Sequence, residues 1–135
     1  MVAQWVKTRK KGERMKREIK FRAWNKKLKV MSTWEEILSV WGDHEVVDLI
    51  RGNETYELMQ FTGLYDKLGK EIYESDIVEF IGHKNRVVGW TPDDHHYAGW
   101  YAIGGIRPLP IYSGKEPNTI EVIGNIYENP ELISK

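Results

Sequence analysis

Two polar stretches hold the residue types that could do chemistry. Asp93, Asp94, His95 and His96 are consecutive, and carboxylates with imidazoles form a set that binds Zn or Mn and activates water. Four adjacent side chains rarely all face one ion, however, and His44 and His83 lie far away in sequence. A solvated loop after Pro92 is therefore the expectation, with no metal. Glu71, Glu74, Asp76 and Glu79 form the second stretch. Paired carboxylates serve general acid–base catalysis, but these flank the start of a strand, where solvent exposure is the commoner fate. No Gly-rich phosphate loop occurs, and no Ser lies in a nucleophile context. The chain reads as non-enzymatic, with no catalytic residue set and no cofactor.

Aromatic residues are the stronger signal. The chain has six Trp and seven Tyr, and Trp34, Trp41, Trp90, Tyr97, Trp100 and Tyr101 cluster in two segments. Exposed, they would stack on single-stranded nucleic acid or anchor a protein interface. Taken one at a time, each is more often a core residue.

Short strands must position these groups. Ile19 to Trp24 alternates apolar and polar residues, as a half-buried strand does. Asn25 to Lys27 is a polar turn, and Leu28 to Ser32 supplies a hairpin partner. Thr33 to Trp41 fits two readings: a helix launched by Ser32 or Thr33 with Glu35 and Glu36, or a strand turning at Gly42-Asp43. Val46 to Arg51 reads as a strand before a Gly52-Asn53 turn, and Tyr56 to Phe61 as another. Asp66 to Gly69 is a tight polar crossing, with Gly69 suited to positive φ. Asp76 to Ile81 pairs with Arg86 to Trp90 as a hairpin. Trp100 to Ile103 is a strand. Pro108 and Pro110 confine Ile106 to Tyr112 to an edge or an extended loop. Thr119 to Tyr127 is the last strand. The fold class expected is mainly β: a small barrel-like domain of short strands with little helix.

Length and charge narrow the classes. With 135 residues and no Cys, the chain reads as one domain without disulfides or thiolate metal sites. No apolar run is long enough to span a bilayer, and no apolar h-region follows the basic start; the cytoplasm is the expected location. Residues 1–30 hold 12 Lys/Arg against 2 Asp/Glu, while 31–135 hold 8 against 18. A basic arm for nucleic acid is one reading. The preferred one is that residues 1–14 are a translated leader. Lys11, Gly12, Glu13 and Arg14 can be encoded as AAA GGA GAA AGA, a ribosome-binding sequence directly before Met15. From Met15 the count is 15 basic to 19 acidic, and such a domain has little generic attraction for phosphate.

Three motifs carry a family resemblance: IKFRAWNKKLKVM (Ile19 to Met31), LMQFTGLYDKLGKEIYESDIVEF (Leu58 to Phe80) and VIGNIYENPEL (Val122 to Leu132). In order and spacing they resemble the YopX family of phages and prophages of Gram-positive bacteria, over most of Lys16 to Leu132. The resemblance implies a β-rich fold with no established activity, so its matched positions take structural roles. Trp24, Phe61, Leu64, Ile77 and Ile126 are expected in the core. Gly63 and Gly124 are expected at special backbone positions. Asp66 suits an Asx turn; Asp76 suits another, or accepts from Lys70. Asn125 and Asn129 flank the last strand as turn or cap residues. Ser75 departs from the pattern, standing where the family often has Gly, and carries strain if its φ is positive. The function expected is a phage-encoded interaction or self-assembling module, a homo-oligomer or a partner-binding protein. The alternative is a small-barrel nucleic-acid-binding module.

Overall fold

The computed structural model describes residues 18–80, 84–91, 99–104, 109–111 and 120–133. The Asp93–His96 stretch, Tyr97 and residues 1–14 lie outside them. The chain is mostly β. It opens with β1 (Phe21–Asn25) and β2 (Val30–Ser32), then α1 (Trp34–Val40) and α2 (Asp43–Arg51). There follow β3 (Tyr56–Tyr65), β4 (Glu71–Tyr73), β5 (Asp76–Glu79), β6 (Arg86–Thr91), β7 (Gly99–Ile103), β8 (Leu109–Pro110), β9 (Glu121–Asn125) and a 3-10 turn at Pro130–Leu132. Two antiparallel sheets result, ordered β2-β1-β3-β4 and β8-β7-β6-β5-β9, and one of them curls into a half-barrel. β8, with its Pro110, takes the edge expected of it. No helix among the described residues is long and apolar enough to cross a membrane.

The Thr33 to Trp41 ambiguity resolves as helix because its start is capped. Glu36 N donates to Thr33 Oγ1 at 3.2 Å and Thr33 N donates to Glu36 Oε1 at 2.8 Å, the reciprocal box that satisfies two otherwise orphaned donors. The strand expected at Val46 to Arg51 is instead part of α2. Its β-branched valines suggested a strand, but their spacing serves a helix. Val46 and Leu49, three residues apart, both turn toward Ala23 and Ile37, and Gly42 N donates to Glu45 Oε1 at 2.7 Å at the helix start. Gly52, at φ 113, ends it.

Strand β3 runs past Phe61 to Tyr65 through a bulge. Phe61 pairs with Tyr73 and Leu64 with Ile72, which leaves Thr62 and Gly63 outside the register. Gly63 takes φ 84, and Thr62 Oγ1 donates to Ile72 O at 2.7 Å in place of a ladder bond. Gly124 keeps an ordinary φ; its need for glycine is space, because a Cβ there would lie 2.5 Å from Asn129 Oδ1.

Two clusters form the core. Ile72, Val78, Val88, Ala102, Ile111, Ile120 and Val122 pack on the second sheet, with Leu64 and Trp100 against them. Ala23, Ile37 and Leu49 lie between the helices and the first sheet. Trp24, Phe61 and Ile77 are buried as expected, whereas Leu64 and Ile126 are only half-buried. β1 is not half-buried: Ala23 faces the helices, while Lys20 and Trp24 are buried on the opposite side.

Ser75 does adopt the left-handed region, at φ 72, and its side chain hydrogen-bonds the Tyr127 phenol. Strain of about 1–2 kcal/mol is thus set against one bond of about 1 kcal/mol. Ser75→Ala, which keeps the strain and loses the bond, is expected to lower stability in urea by about 1 kcal/mol. Ser75→Gly is expected to stay near the parent, since relief of strain offsets the lost bond; the reverse order would show that Ser75 is not strained.

Candidate functional site

The buried face of β1 carries charge. Arg22 Nη2 donates to Asp76 Oδ1 at 2.7 Å, and the second Asp76 oxygen accepts from Tyr73 N at 2.7 Å. Lys20 Nζ lies 2.5 Å from Glu71 Oε2 and 3.3 Å from Glu18 Oε2. Both cations also sit over rings: Lys20 Nζ is 5.0 Å from the Phe61 centroid, and the Arg22 guanidinium carbon is 4.7 Å from that of Tyr73. Asp76 therefore does not take Lys70 as its hydrogen-bond donor; Arg22, on the first sheet, supplies it. Of the four carboxylates weighed for acid–base work, Glu71 holds Lys20, Glu74 Oε1 accepts from Gln60 N at 3.2 Å, Asp76 holds Arg22, and Glu79 is exposed.

These pairings shift proton affinities. Burial pushes the Asp76 carboxyl up, an effect that Arg22 and the Tyr73 N–H partly offset. The Glu71 hydrogen bond raises Lys20 above the ordinary 10.5. Burial pushes the Tyr73 phenol from 10.0 up to about 12, with Glu71 adding to the effect. Lys20 contributes stability fully below its unfolded value, and that contribution is lost as pH rises through its raised one. Tyr73 acts in the same direction: the unfolded chain releases its proton from pH 10, the folded chain only near 12. Stability is thus expected to fall with rising pH above 10. Absorbance at 295 nm should show a phenol titrating late, near 12, that disappears in Tyr73→Phe; a Tyr73→Phe titration matching the parent's would contradict the assignment.

Beside this network lies a cavity of about 520 Å³. Trp90 on β6 and Trp100 on β7 face one another across the strand register and line it together with Phe61, Gly63, Glu18 and Glu74. The two indoles meet edge to face, their centroids 5.3 Å apart at 78°. Trp90 is 52 % exposed; Trp100 is half-buried against the core cluster of the second sheet. The Gly63 bulge belongs to the cavity lining, so the first sheet's irregular strand and the second sheet's Trp pair meet there.

A second, smaller cavity of about 350 Å³ lies in the helix layer, lined by Trp41, Tyr56, Val40, Glu45, Asp48 and Asn53. Trp41 and Tyr56 meet edge to face at 4.9 Å. The six aromatics singled out in the sequence therefore do not make one platform. Trp34 and Trp41 pack on the helix-layer core, Tyr101 is buried, Trp90 and Trp100 pair elsewhere, and Tyr97 falls outside the described residues. Sequence reasoning missed Glu18 and the role of Arg22. The alternation of Lys20, Arg22 and Trp24 was the available signal, since it puts two cations on the face of a Trp. Among the described residues no three His, Asp or Glu are grouped to hold a metal ion.

No curated protein matches the chain. A solved structure that is similar, protein EF1440 from Enterococcus faecalis, is 23 % identical over 87 % of this chain and 99 % of its own, with a TM-score of 0.48. The family model described as YopX protein matches residues 20–134, from the buried Lys20 just before β1 to beyond the closing 3-10 turn. By that match across nearly its whole length, the chain belongs to the YopX family.

Proposed function

We propose that the chain is a non-enzymatic interaction module that pairs with a second copy of itself in the cytoplasm of a bacterial host, and that it is phage- or prophage-encoded. The motif resemblance to phage and prophage proteins supports the setting, and a Cys-free chain suits a reducing compartment. One observation carries the self-pairing: two exposed patches of opposite charge lie side by side. The β1–β2 hairpin presents Lys26, Lys27 and Lys29 around Leu28 and Val30, which are 72 % and 52 % exposed. The helix layer presents the cavity of Trp41, Tyr56 and Val40 flanked by Glu45 and Asp48, with Leu38, Val47 and Ile50 exposed on the same two helices. Asn25 Nδ2 donates to Tyr56 Oη at 3.2 Å and Lys26 N to Thr55 O at 2.8 Å, so hairpin and cavity are neighbours.

Adjacent complementary patches suit a two-fold interface, in which each copy's hairpin meets the other's cavity. Leu28 or Val30 fills the aromatic hollow and lysines meet carboxylates. Sedimentation of the full chain should show a concentration-dependent dimer that salt weakens. Lys27→Glu or Asp48→Lys alone should weaken it about tenfold, and the two together should restore it. A chain that sediments as a monomer at every concentration and salt overturns self-pairing. If that monomer binds oligonucleotides with a steep salt dependence, the nucleic-acid reading replaces it.

A further inference from the structure

We propose that the Trp90–Trp100 cavity is a recognition site for an organic cation: the guanidinium or ammonium group of an arginine or lysine side chain on a partner protein. This site is separate from the self-pairing surface and does not rest on it. Three features point to cation chemistry. The first is the pair of indoles set at 78° with Trp90 half open to solvent. Indole faces are the best aromatic partners for a cation, and two rings at near right angles offer it a corner. The second is the carboxylate lining. Glu18 and Glu74 are the charged side chains among the described lining residues, and Glu74 makes no ion pair with Lys20 or Arg22, which pair with Glu18, Glu71 and Asp76. The third is that the chain already uses this chemistry on one cavity wall: Lys20 Nζ lies over the Phe61 ring and beside Glu18.

The volume, about 520 Å³, exceeds what one guanidinium needs and admits the side chain carrying it. Phosphate-bearing ligands are disfavoured, because no cationic side chain is among the described lining residues. Glu74 is held for the task. Its Oε1 accepts from Gln60 N and its own N donates to Gln60 O at 2.9 Å. The carboxylate thus stays beside the Trp pair without pairing to Lys20.

The test is a titration of the full chain. The probes are N-acetyl-arginine amide and N-acetyl-lysine amide, with N-acetyl-glutamate amide as the control, and the indole N–H resonances of Trp90 and Trp100 are followed by NMR. The arginine and lysine probes should give saturable shifts of both indoles in about the millimolar range, and the glutamate probe none. Trp90→Ala should weaken binding roughly tenfold, and Glu74→Gln, which keeps the Gln60 contact through its amide oxygen, should weaken it several-fold. Both variants should keep the parent's urea midpoint, which separates loss of the site from loss of the fold. Unmoved indoles with the arginine and lysine probes, equal binding of the glutamate probe, or undiminished binding by folded Trp90→Ala each overturn the proposal.

Discussion

Asp76→Ala is expected to lower the stability of the fold by about 3–5 kcal/mol, the range for breaking a buried ion pair from one side. The Asp76 side chain is 3 % exposed and its partner Arg22 14 %. Removing the carboxylate leaves the guanidinium with the Glu74 carbonyl at 3.3 Å and the Met59 sulfur at 3.4 Å, neither of which neutralises it. The same change orphans Tyr73 N, which donates to Asp76 Oδ2. The pair also joins the sheets, because Arg22 stands on β1 of the first and Asp76 opens β5 of the second. Urea unfolding measures the loss. The double variant Arg22→Met with Asp76→Leu should cost less than the two single changes summed, since apolar replacement of a buried pair is often nearly neutral. A single-variant loss below about 1 kcal/mol would place the pair in the solvent-screened class instead.

The second large effect is at Asp66. Its side chain accepts three backbone donors: Leu68 N at 2.9 Å and Lys70 N at 2.8 Å on Oδ1, and Val122 N at 2.9 Å on Oδ2. The residue is only 4 % exposed, so alanine leaves these groups without acceptors where water has little access. Each such orphan costs about 1–3 kcal/mol, and Asp66→Ala is expected to cost about 3 kcal/mol or more. Asp66→Asn should fall between alanine and the parent. Its oxygen still serves the crossing loop, but its amide nitrogen then meets the Val122 N–H, donor against donor. Hydrogen exchange separates the two roles. In Asp66→Asn the Val122 amide should lose protection while the Lys70 amide keeps most of its own. Equal loss at both would mean that the loop and β9 are not held independently.

The Asp66 crossing was legible in the sequence because its physics is local. An Asx residue, a Gly at positive φ and the flanking strands lie within a few residues, and the loop forms as expected, with Gly69 at φ 84. The same holds for the β5–β6 hairpin, whereas the Thr33–Glu36 box left helix and strand both open and the strain at Ser75 depended on a φ, 72, that only the structure gives. Helix α2 was not legible. Val46, Val47 and Ile50 carry β propensity, and what overrides it is burial of Val46 and Leu49 against Ala23 and Ile37, a contact made across the fold.

The aromatics show the limit most clearly. Composition announces many Trp and Tyr, yet nothing local tells Trp100, packed on the core, from Trp90, half exposed beside it. The sequence by itself determined the mainly β class, the turns and the acidic body under a basic lead-in. Each follows from the backbone preferences or formal charge of neighbouring residues. Tertiary structure alone decided which charges are buried and which rings are free. Arg22 and Asp76 are 54 positions apart. Whether such residues meet depends on how two sheets pack, and that packing is set by the summed burial of many side chains rather than by either residue's own neighbours.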